Sequence, residues 1–302
     1  MNLELGVVTV WYHGSENIGR FVANHRRISE PGFVHVHVIN QLESAASQEL
    51  RSAFPGGVFI DTDDNIGTSG AWNRGIALLL SRGVNAVGIW NPDVELADDC
   101  LLRLATTLFS DKTIGAVCPL LFFSGDRDQV QSYGCSIDPD TGGANHDYRG
   151  VHGRAGLPPW RDAGYLDGGT MMMKAEAIHR AGVFDEELFV YGEDADICIR
   201  VRKSGFRTVA VRDALAWHFG KEHREDGPPQ HEIFYLTRNR FYLVRKHGRR
   251  FAWTRLLLRS IWQIPRRCLS YVYHGDYRLV TPLWAGAFCG VFGMMGKRGW
   301  VK

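Results

Sequence analysis

The stretch Ala86–Asp93, AVGIWNPD, decides the fold. Five residues without a polar side chain end abruptly at Asn-Pro-Asp, a pattern that predicts a buried parallel strand. Pro92 has no N–H to donate and ends the strand, so Asn91 and Asp93 follow at its carboxyl end. Open α/β sheets bind ligands at that end. The stretch therefore places an amide and a carboxylate at a binding crevice, although an ordinary Asx-Pro turn has the same residues.

The segments on either side alternate between strands and helices. Strands are predicted at 5–11, 33–39, 57–60, 114–123 and 206–211, and helices at 18–27, 72–81, 100–109 and 193–205. The polar segment 124–165 lacks periodicity, and we expect it to cross the active face as an irregular excursion. Together these features predict an α/β domain over residues 1–230.

A glycine-rich stretch, residues 65–75 (NIGTSGAWNRG), opens one of these helices. Backbone amides at a helix N-terminus attract phosphate, and Arg74 adds a positive charge. The spacing is neither a Walker nor a Rossmann fingerprint, so the stretch by itself does not identify a nucleotide.

Three carboxylates, those of Glu193, Asp194 and Asp196, surround a predicted helix start. The helix dipole stabilises negative charge there, so simple N-terminal capping would explain them. A carboxylate that faces a crevice can instead act as a general base. His218 follows the last predicted strand on the side of Asp93, where it would complete a site for a divalent cation. Mn²⁺ or Mg²⁺ suits such a site because both prefer hard oxygen ligands.

Residues 231–302 differ from the rest of the chain in charge. They carry 14 Lys and Arg against 2 Asp and Glu, whereas residues 1–230 carry 21 against 31. Interleaved aromatic residues fit an anionic membrane surface or a lipid-linked phosphate, and no nucleic-acid motif accompanies the charge. Residues 279–296 are uncharged, but Pro282 and four glycines favour interfacial docking or packing over a membrane span. An interface in a homo-oligomer is the alternative use of this tail.

The spacing of the cysteines and the sequence of the N-terminus indicate in which cellular compartment the protein is expected. The six cysteines form no CxxC pair, which argues against a zinc knuckle or a disulfide framework. The chain begins without a basic n-region and with only a short apolar run. We therefore expect a cytoplasmic protein, peripheral to the inner face of the membrane.

Six stretches in chain order resemble the family 2 glycosyltransferases of the GT-A fold. They are TVWYHGS, NIGTSGAWNRGI, NPDVEL, DGGTMMMKAEAI, FDEELFVYGEDADICIRVRKSGF and WHFGKEH, within residues 4–224. The NPD form, the DGGTMMM block and the later YLTRNRFYLVRKH are similar to bacterial rhamnosyltransferases and galactofuranosyltransferases in particular. The resemblance implies a GT-A nucleotide-sugar-binding fold, with a mostly parallel central sheet flanked by helices and a helical C-terminal segment over residues 231–302.

The resemblance also implies roles for individual residues. Asn91 and Asp93 match the metal-binding D-x-D motif, and His218 matches the histidine that completes the metal site. Asp194, beside Glu193, matches the catalytic base. Residues implied in nucleotide-sugar binding are Thr9, Trp11, Asn40, Asn65, Gly67, Asn73, Arg74, Asn91, Asp93, Gly168 and Gly169. Asn40 and Asn91 both stand where the family usually has an aspartate, so the nucleobase is open and metal binding depends more on Asp93.

The function that the resemblance implies is inverting, metal-dependent glycosyl transfer. The favoured donor is dTDP-rhamnose, and the acceptor is a glycan or polyprenyl-linked molecule in bacterial surface polysaccharide synthesis. The alternatives are a UDP-hexose or UDP-galactofuranose transferase and a non-catalytic subunit that binds a nucleotide sugar or glycan.

Overall fold

The computed structural model describes residues 4–28, 33–219 and 227–298, so residues 220–223 of the WHFGKEH motif lie outside the described residues. The strands are β1 (Leu5–Trp11), β2 (Phe33–Ile39), β3 (Val58–Asp61), β4 (Ala86–Trp90), β5 (Val94–Leu96), β6 (Ile114–Phe123), β7 (Val130–Ser132), β8 (Cys135–Asp138), β9 (Gly143–His146), β10 (Trp160–Asp162), β11 (Thr170–Lys174) and β12 (Arg207–His218). The helices are α1 (Ile18–Arg27), α2 (Ser44–Ala53), α3 (Gly67–Ser81), α4 (Cys100–Ser110), α5 (Ala175–Ala181), α6 (Glu193–Lys203), α7 (Gln230–His247), α8 (Ala252–Tyr273) and α9 (Val280–Phe292).

One mixed sheet forms the centre of the molecule, with strand order β10-β12-β6-β11-β4-β1-β2-β3. Strands β1 to β4 are mutually parallel where they pair, and β12 is parallel to β6. Strand β11 lies antiparallel between β4 and β6, with Thr170 opposite Trp90. The end of β4 therefore meets the start of β11, and the Asn91 N–H donates to the Gly169 carbonyl at 2.9 Å.

Successive side chains of each strand point to opposite faces of the sheet, so the core is divided between the two faces. On β1, Val8 and Val10 face one buried cluster, whereas Val7 and Trp11 face another. Helices α3 and α6 contribute to the first cluster, and α1, α2 and α4 contribute to the second. The predicted α/β class is confirmed, because hydrophobic helix faces cover both sides of the sheet.

A stack of histidines lies on the α1 side of the sheet. The ring centroids of His25 and His35 are 4.9 Å apart, and those of His35 and His37 are 4.2 Å apart. His37 also stacks on Phe59 and accepts a hydrogen bond from the Trp11 indole N–H at 3.3 Å. Period-two alternation places His35 and His37 on one face, as the sequence predicts.

Three segments differ from the sequence prediction. Residues 170–174, which include the three consecutive methionines, form the buried strand β11, and no strand was predicted there. The excursion 124–165 is not wholly irregular, because it contains the short strands β7 to β10. Strand β12 continues past a bulge to His218, which is thus its last residue and not part of the following loop. These pairings join segments far apart in sequence, where local periodicity carries no signal.

Helix α3 begins at Gly67, five residues before the predicted start. The Phe189 carbonyl accepts hydrogen bonds from the N–H groups of Thr68 and Ser69, at 2.8 and 3.4 Å. Gly67 has φ +77°, and a Cβ there would lie 2.5 Å from that carbonyl oxygen. The expectation that the first amides of this helix bind phosphate is wrong for these two donors, because a backbone carbonyl already caps them.

The tail is helical and packs on the rest of the chain. Helix α7 begins at the predicted boundary near residue 230, and it packs along α9. In the ranges that the structure covers, we find no helix with the length and apolar character needed to cross a membrane.

Candidate active site

A cleft of about 690 Å³ opens at the end of the sheet where β4 meets β11. The predicted site residues that line it are Asn91, Gly168, Gly169, Glu193, Asp194 and His218. One face of α7 forms part of the opposite wall, with Glu232, Asn239 and Arg240. These residues come from five separate segments of the chain.

The predicted metal ligands meet beside this cleft. His218 Nε2 lies 3.2 Å from Asp93 Oδ2, and His218 Nδ1 lies 3.0 Å from the side-chain amide nitrogen of Gln131. His218 and Gln131 are buried. Gln131 in β7 therefore fixes the ring plane of His218, a role that nothing in the sequence indicated.

The Asp194 carboxylate is held at the first turn of α6. Its Oδ2 accepts a hydrogen bond from the Gly168 N–H at 3.2 Å, and its Oδ1 accepts one from the Ala195 N–H at 2.7 Å. A Cβ at Gly168 would lie 3.2 Å from the Asp194 Cβ, so the close approach of the two segments favours glycine. The helix dipole stabilises a negative charge at this position. Glu193, its neighbour, is buried and also lines the cleft.

Asp196 has a structural role. Its carboxylate is fully buried and lies 2.7 Å from Arg200, 2.8 Å from Lys246 and 2.7 Å from His247. Burial alone would raise the pKa of Asp196, but the hydrogen bond from His247 and the charges of Arg200 and Lys246 lower it to about 2. This carboxylate thus ties α6 to α7 and is not available to a substrate.

Asn40 organises the loop that precedes α3. Its Oδ1 accepts hydrogen bonds from the Ile66 N–H at 2.9 Å and the Thr62 hydroxyl at 3.2 Å, and its amide donates to Asn65 Oδ1 at 3.1 Å. Asn65 Oδ1 in turn accepts from the Gly67 N–H at 2.9 Å. These three predicted residues form one network at the ends of β2 and β3, and the side chain of Asn40 is 2% exposed.

Four other predicted residues lie outside the residues that line the cleft. Trp11 is fully buried against Phe21, and the hydroxyl of Thr9 hydrogen bonds His35 at 2.8 Å. Asn73 holds the backbone of Phe184 with both ends of its amide, whereas Arg74 is exposed. The family resemblance located these residues along the chain, but it did not indicate the direction of their side chains. The side chains of Trp11, Thr9 and Asn73 point into the protein because of their positions on the strand and the helix.

His146 and Arg149 of the excursion 124–165 line the cleft. Three other charged or titratable side chains of the excursion pair elsewhere: Asp147 binds Arg161, His152 lies near Asp126 and Arg154 lies near Asp213.

Helix α7 holds the loop before α6 in a strained conformation. Phe189 and Tyr191 in this loop have φ of +64° and +67°. Asn239 donates to the carbonyls of Leu188, Val190 and Tyr191 at 2.6 to 3.0 Å. Left-handed backbone in bulky residues costs energy and persists only where surrounding contacts impose it.

Arg238 strengthens this hold. It is 0% exposed and donates to the carbonyls of Leu188 and Gly296. Burial lowers the pKa of Arg238 to about 10. The motif YLTRNRFYLVRKH contained this pair, but its role follows only from contacts about 50 residues apart in sequence.

The described residues contain no complete set of metal ligands. In residues 4–28, 33–219 and 227–298 there is no group of three or more His, Cys, Asp or Glu side chains arranged to hold an ion. Of the predicted ligands, Asp93 and His218 are in contact with each other.

Comparison with known proteins agrees with this geometry. The chain is 25% identical over 281 residues to the N-acetylglucosaminyl-diphospho-decaprenol L-rhamnosyltransferase of Mycobacterium tuberculosis, covering 84% of this chain and 88% of that protein. It is 26% identical over 191 residues to the dTDP-rhamnosyl transferase RfbF of Shigella flexneri, covering 61% of each. No family model matches the sequence.

The fold has a counterpart among solved structures. The mannosyltransferase PcManGT of Pyrobaculum calidifontis, solved with GDP-Man and Mn²⁺, aligns with a TM-score of 0.59 at 14% identity, covering 97% of this chain and 88% of that one. The fold is thus that of the GT-A glycosyltransferases. The names of the relatives agree with the resemblance of this sequence to the family 2 glycosyltransferases.

Proposed function

We propose that this protein is an inverting, divalent-metal-dependent transferase that moves L-rhamnose from dTDP-rhamnose to a glycan or polyprenyl-linked acceptor. The observation that carries the proposal is one cleft shared by Asp194, Asn91 and His218, with Asp93 in contact with His218. The names of the two rhamnosyltransferase relatives support the rhamnosyl donor, and one of them also names a decaprenyl-diphosphate-linked sugar. A UDP-hexose or UDP-galactofuranose donor is the alternative within the same chemistry.

The Asp93–His218 pair fits a divalent cation. Two ligands ~2.1 Å from one ion and at right angles to each other lie about 3.0 Å apart, and Asp93 Oδ2 and His218 Nε2 are 3.2 Å apart. Asn91 lines the cleft nearby and offers an amide oxygen. Mn²⁺ or Mg²⁺ in this position would neutralise the charge that develops on the departing nucleoside diphosphate. Because the protein supplies few ligands, the diphosphate of the donor would supply others.

His218 must present a lone pair at Nε2 in that state. The Nδ1–H group then donates a hydrogen bond to the side-chain oxygen of Gln131. In the structure the amide nitrogen of Gln131 faces Nδ1, so this hydrogen bond requires the amide group to rotate by a half turn. Gln131 is thus a positioning residue for the ligand atom.

Asp194 acts as the general base in this proposal. It accepts the proton of the acceptor hydroxyl as that oxygen attacks the anomeric carbon, on the face opposite the departing diphosphate. A single displacement of this kind inverts the anomeric centre. The N–H groups of Gly168 and Ala195 orient the carboxylate, which reduces the cost of aligning it with the acceptor.

The test is turnover by wild type and Asp194→Asn. Nucleotide release is measured from dTDP-rhamnose, UDP-galactofuranose, UDP-glucose and GDP-mannose with Mn²⁺, Mg²⁺ or EDTA, in the presence of a lipid-linked acceptor extract. We expect metal-dependent release that is greatest with dTDP-rhamnose. Loss of a positioned base lowers the rate by a factor of about 10² to 10⁴, so Asp194→Asn retains little activity. Its dTDP affinity remains close to that of wild type, because the acceptor and not the nucleotide loses a contact.

Asp98→Asn is the matched control, because Asp98 is an exposed aspartate that pairs with Arg27. Near-wild-type turnover by Asp194→Asn would contradict the base assignment and transfer the role to Glu193. Metal-independent nucleotide binding without turnover on any acceptor would favour the non-catalytic subunit. Preferred release from a UDP-sugar would replace the donor and leave the mechanism standing.

A further inference from the structure

Helix α8 presents an apolar stripe to solvent. Ile261 and Trp262 are 73% and 74% exposed. Exposed residues recur along the helix at three- and four-residue spacing, which places them on one face. They are Leu258, Ile261, Trp262, Leu269, Val272 and Tyr273, with Phe251 just before the helix. The buried residues of the helix are Ala252, Leu256 and Cys268, and Ala252 and Leu256 lie away from the stripe.

Basic side chains accompany this stripe. At 100° per residue, Arg255, Arg259 and Arg266 fall along one edge of it. The sequence contains no Asp or Glu between Phe251 and Gly275. Helix α9 adds a shorter uncharged stripe of exposed Trp284, Phe288 and Phe292 at four-residue spacing.

We propose that the exposed face of α8 docks in the plane of an anionic membrane surface. The apolar stripe would enter the headgroup and acyl boundary, and the arginines along its edge would contact lipid phosphates. Aromatic side chains such as Trp262 and Tyr273 suit this boundary, because one end of each ring is apolar and the other is polar.

Charge complementarity favours a membrane over a second copy of the chain. Two α8 stripes facing each other would bring arginines close to arginines, and α8 has no carboxylate to pair with them. An anionic lipid surface supplies the opposite charge along the whole helix.

Helix α8 packs against α7, one face of which lines the cleft. Arg240 lines the cleft, and burial followed by the nearby positive charges of Arg267 and Arg259 lowers its pKa. A docked protein would therefore hold its cleft near the membrane surface, where a polyprenyl-linked acceptor resides. This last step depends on the proposed function, whereas docking itself does not.

The experiment is co-sedimentation of the full chain with vesicles. One set contains phosphatidylglycerol and phosphatidylethanolamine, and the other contains phosphatidylcholine alone. We expect wild type to bind the anionic vesicles. The double variant Ile261→Ser/Trp262→Ser should lower the partition coefficient at least tenfold, because two large apolar side chains no longer leave water. The triple variant Arg255→Gln/Arg259→Gln/Arg266→Gln should lower it by a similar factor and remove most of its salt dependence.

Leu102→Ser is the matched control, because Leu102 is an exposed leucine on α4, outside the tail. It should bind within about twofold of wild type. Nucleotide binding measured on every variant verifies the fold without requiring transfer. The proposal is overturned if wild type fails to bind anionic vesicles or if the double variant binds as well as wild type. It is also overturned if lipid-free wild type is a dimer that the double variant dissociates, because the face is then an interface between copies.

Discussion

The histidine stack predicts that acid destabilises the protein well above the pH at which its carboxylates titrate. Burial first, and then the positive charge that His25 acquires when protonated, lowers the pKa of His37 to about 3. Burial likewise lowers the pKa values of His35 and His25. The geometry also disfavours protonation of His37. The Trp11 indole N–H points at His37 Nδ1, and a proton on Nδ1 would place two N–H donors against each other.

The sign and size follow from proton linkage. Between a pH of about 6.5 and about 3, an unfolded histidine binds a proton that folded His37 does not, so stability falls as pH is lowered through this window. Taking the pKa of the folded protein as about 3, His37 alone removes about 2 kcal/mol between about pH 7.5 and about pH 5. His35 and His25 act in the same direction. The total is a large fraction of a typical free energy of unfolding of ~5 to 15 kcal/mol.

The assay is urea denaturation of wild type, His37→Gln and His13→Gln at several pH values across that window. His37→Gln lowers stability at every pH but reduces the loss between about pH 7.5 and about pH 5 by about 2 kcal/mol. His13→Gln is the control, because His13 is exposed and lies outside the stack. The reasoning would be refuted if the free energy of unfolding of wild type did not change with pH in this window. It would also be refuted if His37→Gln showed the same pH dependence as wild type.

Two further predictions concern the site. Gln131→Leu removes the partner of His218 Nδ1 and should weaken Mn²⁺ binding by about 10- to 100-fold in a calorimetric titration. Gln129→Leu, at a half-buried position where the side chain contacts His152, should not, and equal Mn²⁺ affinity in both variants would remove Gln131 from the site. Asn239→Leu removes the hydrogen bonds to the three carbonyls before α6. It should lower kcat by about 10²-fold with a smaller change in KM for the donor, because Asp194 loses its alignment. A change in KM alone would argue against a link between Asn239 and the alignment of Asp194.

Local patterns predicted the parallel half of the sheet well. Strands β1, β2 and β4 are short apolar or alternating runs that end in polar residues, so their bounds and their carboxyl ends follow from sequence. The same reasoning brought Asn91 to the cleft and Asp93 beside it. The placement of His218 near Asp93 followed from the end of the last predicted strand and from the family resemblance, and the structure adds that β12 extends to reach it.

What the sequence did not predict depends on contacts between distant segments. Strand β11 was missed because methionines occur in helices and strands alike, and its position between β4 and β6 is decided by pairing. The early start of α3 depends on the Phe189 carbonyl, more than 100 residues away in sequence. Trp11 was assigned to nucleotide-sugar binding from the family resemblance, whereas its side chain faces the core because strand residues alternate between the two faces of the sheet.

The hydrogen bonds from α7 to the loop before α6 limit where the chain can be truncated and which segments can be exchanged with related proteins. The carbonyls of Leu188 and Val190 find their partners in Arg238 and Asn239, on the far side of the predicted boundary at residue 230. A truncated chain ending at that boundary would leave buried acceptors unsatisfied and release the strained loop. Chimaeras that exchange tails between related transferases should therefore exchange residues 186–192 together with α7, since the two segments form one cooperative folding unit.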